Sequence, residues 1–279
     1  MYRSCYCVEL NSWVLTVANS SLSTTESYLV TMALQWIPGQ IARKQVWSDG
    51  LFTLSIHCPG VAHFEPGQFL QVGFPQPEKH LHRPYSVASP HGEVLEFFIV
   101  RVDGGELTPK LWEVSDGSAI DVSAKATGSF TLPHVPESRC LWLIGTGTGL
   151  APYVAMLRTQ QAWERFEKIV LVHGVRHASD LAYTEEFEKI QHTRGSSFRF
   201  LQVTSRDQLP GKLSGRTTVK LQDGSLEAAA EERISPEDTA VMLCGNPDML
   251  NEMESLLADR GLKRQKPKQP GQIIVERYW

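Results

Sequence analysis

The sequence has no pair of cysteines at C-x2-C spacing. Its five cysteines fall at positions 5, 7, 58, 140 and 244. That excludes a zinc ribbon and a plant-type iron–sulfur cluster, so no metal is expected. Scattered thiols suit a reducing compartment, and a cytoplasmic setting is expected. There is no basic excess either. Lys and Arg number 27 against 31 Asp and Glu, a net charge of -4, which lacks the electrostatic footprint of a nucleic-acid binder. Long apolar runs are missing from the first 31 residues, where the longest is WVLTVA, Trp13 to Ala18. A spanning helix needs about 20 apolar residues, so no stable membrane insertion is expected. The same 31 residues are poor in charge, with only Arg3, Glu9 and Glu26, and crowd Ser and Thr at 20–27. One Arg and a short apolar run fit neither a secretory signal nor a transit peptide. Residues 1–31 are therefore expected to be a disordered or non-native extension, with Met32 as an alternative start.

What is present is the composition of an ordinary globular chain. A 42% hydrophobic and 21% charged content excludes a largely disordered or collagen-like chain. At roughly 150 residues per domain, the length suggests two domains. From about 40 to 125, short strand-like runs alternate with turn signals. The runs are IARKQVWS, LFTLSIHC, QFLQVGFP, PYSVAS, VLEFFIVR and SAIDVSA. The turns are Asp49-Gly50, Pro59-Gly60, Pro66-Gly67, Pro90 to Gly92 and Asp103 to Gly105. This spacing predicts an antiparallel barrel or sandwich, with one short helix near Pro109 to Val114.

LPHVPES (132–138), with two prolines, reads as a linker, and the pattern changes beyond it. Apolar runs at 140–145, 168–175, 198–205, 239–245 and 272–278 alternate with helical segments from Leu150, at 180–192 and at 247–260. Such alternation predicts βαβ units and a parallel sheet. The domains expected are 32–136 and 137–279.

Five segments carry candidate chemistry. The turn Gly145-Thr146-Gly147-Thr148-Gly149-Leu150-Ala151-Pro152 joins a strand to a helix. Glycines let a phosphate approach the backbone, and a helix start offers free N–H groups. The turn is not a G-x-G-x-x-G fingerprint, and Arg176 stands where an acidic ribose partner would follow the second strand. In Arg83-Pro-Tyr-Ser-Val-Ala-Ser89, Arg83 offers a fork for phosphate, Tyr85 a flat surface and Ser86 a small donor. Strand alternation puts Arg83 and Tyr85 on one face and Ser86 on the other. Cys244-Gly-Asn-Pro-Asp-Met249 follows a parallel strand, where ligands of open α/β sheets bind. Arg176, Ser205, Arg206 and Arg216 follow other strand ends and could clasp a phosphate, at about 1.5–3 kcal/mol per charge-assisted bond. Finally, Val275-Glu-Arg-Tyr-Trp279 ends the chain on two large aromatics. Each segment taken singly also reads blandly: a tight turn, a chance alternation, a buried thiol, solvated arginines, a self-packed tail.

RPYS, GTGTGLAP, CGNPDM and VERYW in this order resemble the ferredoxin/flavodoxin–NADP reductase family, most of all its compact bacterial type with an E-x-Y-W tail. The resemblance covers about residues 32–279. It implies a two-domain chain, an N-terminal antiparallel β-barrel that binds FAD and a C-terminal α/β parallel-sheet domain that binds NADP(H). By resemblance, Arg83 meets the flavin pyrophosphate, Tyr85 lies on the ring and Ser86 sits near flavin N5. Phe98, Ile99 and Val100 match the next flavin strand, and Glu106, Leu107 and Thr108 the phosphate-facing turn. Gly145, Thr146, Gly147 and Gly149 match the NADP pyrophosphate loop, with Thr148 reaching the flavin as well. Arg176, Ser205, Arg206 and Arg216 match the 2′-phosphate clasp. Gly245 and Met249 belong to the segment in which Cys244 lies beside the nicotinamide. Glu276 lies in the tail near the flavin, and Trp279 is the stacking aromatic. Ser86, Cys244 and Glu276 are thus the implied catalytic set, and an acidic flavodoxin or ferredoxin the implied partner of a monomer. The basic stretch Arg260, Lys263, Arg264, Lys266, Lys268 is a candidate docking patch. Two alternatives remain open: a reductase component feeding an oxygenase, and a non-catalytic flavin-binding electron-transfer subunit.

Overall fold

The computed structural model describes residues 34–277 except 267. The expected extension 1–31, the alternative start at Met32 and the stacking Trp279 lie outside the described residues.

The first half is built from β1 (Trp36–Ser48), β2 (Leu51–His57), β3 (Phe69–Phe74), β4 (Leu81–Ser86), β5 (Val94–Val100), a short helix α1 (Thr108–Glu113) and β6 (Ala119–Ser123). The strands pair antiparallel in the order β4-β3-β6-β1-β2-β5. Beyond β4 the chain bridges Val87 to Phe97 of β5, and Ala88 N–H donates to Glu96 O at 2.7 Å. The sheet therefore closes on itself as a barrel. Alternate side chains such as Phe52, Leu54, Ile56, Leu70, Val72, Leu95 and Phe97 fill its interior.

β1 begins at Trp36, ahead of the pattern at 41, because Pro38 and Gly39 obscure it. Residues 36–40 pair with β6, while β2 takes over from Gln40 onward. Pro38 thus sits where β1 is paired on one side only, which tolerates its missing N–H.

The second half comprises β7 (Cys140–Thr146), α2 (Ala151–Leu157), α3 (Gln160–Arg165), β8 (Lys168–Val175), α4 (Thr184–Arg194), β9 (Phe198–Thr204), β10 (Leu213–Ser214), α5 (Thr217–Gln222), α6 (Ser225–Ala230), β11 (Thr239–Gly245), α7 (Pro247–Asp259) and β12 (Ile273–Arg277). All its strands are parallel, in the order β10-β9-β8-β7-β11-β12. Leu141, Leu143, Ile169 and Leu171 face α2, α3 and α4. Trp142, Ile144, Val170 and Val172 face α5, α6 and α7. Burial on both faces explains why these strands read as continuous apolar runs. α4 starts at Thr184 rather than 180 because Tyr183 takes a left-handed conformation (φ 57°) after a short 3-10 turn at Ala178–Asp180.

The segment read as a linker is instead a packed connection. Leu132 and Val135 are buried, and the Arg165 guanidinium donates to both their carbonyls. Leu51, Ala88 and Phe98 of the barrel share one core with Tyr153, Met156 and Tyr183. Arg158, at the end of α2, donates to Glu186, Glu96 and the carbonyl of Ala88. Thr53 Oγ1 accepts from Trp47 Nε1–H at 2.9 Å and lies 2.8 Å from the buried Tyr183 hydroxyl. Thr53→Val should strand both groups and lower stability by about 1–3 kcal/mol, whereas Thr53→Ser should restore it. Urea unfolding of the two variants checks this, and equal losses would contradict it.

Candidate functional site

In the parallel sheet the chain runs outward from β7 through β8 and β9, then returns to the other side of β7 as β11. The turns after β7 and β11 therefore flank the switch point, where open α/β sheets bind ligands. They are in contact: Asn246 N–H donates to Thr146 Oγ1 at 2.9 Å. A Cβ on Gly149 would lie 2.5 Å from Cys244 O, and one on Gly245 2.3 Å from Thr146 Oγ1. Gly149 and Gly245 are thus required by the approach of two protein segments. Gly147 differs: its φ is +54° and it opens on empty space. Gly145 backs onto Gly149 and Tyr153, while Thr146 and Thr148 are half-buried.

Sequence reasoning missed His173, at the end of β8. It is fully buried, and its Nε2 lies 3.2 Å from Gly147 O. Burial pulls its pKa down to about 4, so the neutral ring donates Nε2–H to that carbonyl and supports the turn from below. Its only sequence signal is position, a polar residue at the end of an apolar strand.

Ser86, Cys244 and Glu276, chosen as one set from the sequence, are brought together by both sheets. Ser86 ends β4, while Cys244 and Glu276 are register partners on β11 and β12. Ser86 Oγ–H donates to Glu276 Oε2 at 2.9 Å, and Cys244 Sγ lies 3.9 Å from the same oxygen. Burial pushes the Glu276 carboxyl up to about 7, against the lowering effect of both contacts. Tyr153, from α2, lies below and donates its hydroxyl to Met242 O at 2.8 Å.

Arg83 and Tyr85 share one face of β4. Arg83 is exposed, donates Nη1–H to His82 O at 2.7 Å and lies 3.9 Å from Glu106. Tyr85 leans on the barrel core, and burial pushes its hydroxyl up to about 12. Thr108 Oγ1 accepts from Val102 N–H at 2.9 Å and so closes the turn that carries Glu106. Val100 is exposed. The side chains of Phe98, Ile99, Leu107 and Met249 are buried in the cores and present walls rather than free polar groups.

Arg176, Arg206 and Arg216 follow β8, β9 and β10 at the carboxyl edge of the sheet. The backbone holds them in register, with Ser205 N–H on Val175 O at 3.0 Å and Arg206 N–H on Arg176 O at 2.9 Å. All three are exposed, as is Ser205, and none of the three guanidinium groups has an ion-pair or hydrogen-bond partner among the described residues. In the basic stretch, by contrast, Arg260 is paired with Glu227 and Arg264 with Glu254. Lys263, Lys266 and Lys268 are exposed and have no ion-pair partner among the described residues. Among the described residues there is no His, Cys, Asp and Glu cluster suited to a metal, and no helix long and apolar enough to cross a membrane.

Comparison with known proteins agrees with this layout. Residues 143–255 match the oxidoreductase NAD-binding domain family. The chain is 35% identical over 247 residues to a flavodoxin/ferredoxin–NADP reductase of Buchnera aphidicola, covering 88% of this chain and 99% of that one. It is 35% identical over 242 residues to a ferredoxin–NADP reductase of Pseudomonas aeruginosa, covering 83% and 93%. Among solved structures, a ferredoxin NADP+ reductase from Neisseria gonorrhoeae with bound FAD and NADP superposes with a TM-score of 0.82 at 30% identity, over 87% of this chain and 98% of that one. With a closed barrel, a parallel sheet and this similarity along nearly its whole described length, the chain belongs to the flavodoxin/ferredoxin–NADP reductase family of oxidoreductases.

Proposed function

We propose that this chain is an FAD-dependent reductase that moves electrons between NADPH and a one-electron carrier, flavodoxin or ferredoxin, by hydride transfer at flavin N5. The observation that carries this reading is the meeting of Ser86 from the barrel with Cys244 and Glu276 from the parallel sheet. A site that joins two cofactors needs groups from both halves, and this one has them at the switch point.

The residues present fit both groups. On the barrel, residues 32–136, Arg83 offers an exposed fork for a pyrophosphate beside the Glu106–Thr108 turn, and Tyr85 a flat surface. Val100 stands exposed at the end of β5, with Phe98 on its own face and Ile99 turned into the barrel core. On the sheet, residues 137–279, Gly147 leaves room for a second pyrophosphate. Arg176, Arg206 and Arg216 are cations in need of an anion, which suits a 2′-phosphate. When bound, FAD supplies the chemistry that Ser, Cys and Glu cannot, accepting two electrons as a hydride and releasing them singly. Ser86 and Cys244 orient and exclude water. Glu276 holds a proton at its carboxyl near neutral pH and so supplies or stores one, and it need not abstract any.

Purified protein loaded with FAD should show flavin absorption that bleaches on adding NADPH, and should then reduce added flavodoxin or ferredoxin. A protein that takes up no FAD would overturn the reading. Lys263, Lys266 and Lys268 offer an acidic carrier a positive face, so carrier reduction should slow as salt rises through about 0.1 M, where the screening length is about 10 Å. Stopped-flow rates across a salt series check this, and salt-independent rates would remove the patch from the docking surface.

A further inference from the structure

We infer that Asp207 is a positioning residue that sets the spacing of Arg176, Arg206 and Arg216, and through that spacing the selectivity for a 2′-phosphorylated nucleotide. The inference rests on the proposed clasp and adds the element that shapes it.

The three arginines stand on three separate strand ends, and residues next to or near them in the chain converge on one residue. Asp207 Oδ2 accepts from Ala178 N–H at 2.6 Å, and Oδ1 lies 3.2 Å from His177 Nδ1. His177 is the neighbour of Arg176 in the chain. The backbone oxygen of Asp207 accepts from Thr204 Oγ1–H at 2.8 Å and from Ser214 Oγ–H at 3.0 Å. Asp207 is itself next to Arg206, and Ser214 precedes Arg216 by two positions. One residue thus ties together the loops after β8, β9 and β10.

The carboxylate makes the tie to the loop after β8 without touching the arginines. Its oxygens face His177 and Ala178, and it makes no ion pair or hydrogen bond with a clasp guanidinium among the described residues. The Ala178 N–H and His177 beside it hold the carboxyl below the usual carboxylate range, so the clip is ionised at neutral pH. A second carboxylate supports it. Asp180 accepts from His177 N–H at 3.3 Å and from Ser48 Oγ–H of the barrel at 3.0 Å. Long arginine side chains can share one phosphate only if their backbones stand at the right separation, since each ordered side chain costs entropy.

Two effects of Asp207 on a bound phosphate therefore oppose each other, and their signs separate them. Its negative charge disfavours an anion nearby, while its hydrogen bonds assemble the cations that bind one. If charge dominates, Asp207→Ala tightens 2′-phosphate binding. If positioning dominates, it weakens it.

The test is calorimetric titration of 2′-phospho-AMP and of 5′-AMP into FAD-loaded protein. Asp207→Ala should weaken 2′-phospho-AMP by about tenfold, as expected for losing a charged hydrogen bond, and 5′-AMP by less than about twofold. Asp207→Asn keeps an acceptor for Ala178 N–H and should fall between Ala and the parent. Ser214→Ala leaves every charge in place and should weaken 2′-phospho-AMP alone by about threefold, the value of an ordinary hydrogen bond. Arg206→Ala serves as the reference for the clasp. If Arg206→Ala loses the preference for 2′-phospho-AMP while Asp207→Ala keeps or tightens it, the inference is overturned and the clasp stands. If Arg206→Ala weakens both nucleotides equally, the clasp fails and the inference with it. Parallel losses for both nucleotides in Asp207→Ala and Ser214→Ala would mark general damage and also overturn it.

Discussion

Replacing Arg206 and Arg216 together by alanine should raise KM for NADPH by about a hundredfold or more while leaving NADH within about threefold. Each guanidinium lost from a charge-assisted phosphate contact costs about 1.5–3 kcal/mol, roughly tenfold to a hundredfold. The two share one anion and are not expected to add fully. The structural basis is the idle charge at this edge. Several arginines elsewhere are engaged, Arg139 with Glu232 and Asp238, Arg158 with Glu96 and Glu186, Arg277 with Glu254. Arg206 and Arg216 are exposed at strand ends, and their guanidinium groups have no partner among the described residues, so their removal disturbs little of the fold. Steady-state kinetics with both nucleotides on the single and double variants check this. The selectivity ratio should collapse, and kcat with NADH should hold. Equal losses with both nucleotides would show that these arginines serve something other than a 2′-phosphate.

The contrast between these arginines and the glycines shows what a sequence can carry. Apolar periodicity marked the strands well: KIVLVHGV and TAVMLCG coincide with β8 and β11. The barrel was legible from the spacing of its turns, and its closure through Val87 was not, because a single bridge leaves no pattern. α5 and α6 have no counterpart in the sequence pattern, being six residues each and separated by Asp223-Gly224, too short to show a helical period. The glycines of the GTGTG turn read as room for a phosphate. Gly149 is instead spent on the backbone of Cys244, and only Gly147 faces open space. A glycine signals close approach without saying to what. His173 and Asp207 were invisible for a related reason. Their importance lies in partners 26 and 29 residues away in the chain, which no local window contains. Ser86 and Glu276, 190 residues apart, were joined only through family resemblance, and their 2.9 Å contact supplies the physical link.

That contact makes Glu276→Gln the sharpest change available at the centre of the site. The fold raises the Glu276 carboxyl from its ordinary value of 4.5 to about 7, because burial penalises the charge more than Ser86 and Cys244 relieve it. The folded state therefore holds its proton more tightly than the unfolded state. The associated stability is fully present below about pH 4.5 and is lost as pH rises through 7. Each tenfold gain in proton affinity on folding corresponds to about 1.4 kcal/mol, so the loss approaches about 3 kcal/mol before it levels off. A neutral glutamine can keep an acceptor for Ser86 Oγ–H and does not titrate. The stability difference between parent and Glu276→Gln should thus move in favour of glutamine between pH 4.5 and 7 and stay constant above. Urea unfolding of both proteins across that range measures it. Parallel curves would mean that folding leaves the proton affinity of Glu276 unchanged and that its burial is compensated by groups other than Ser86 and Cys244. The same proton has a functional readout. If Glu276 stores it during turnover, the parent should show an inflection near pH 7 in kcat that the glutamine variant lacks.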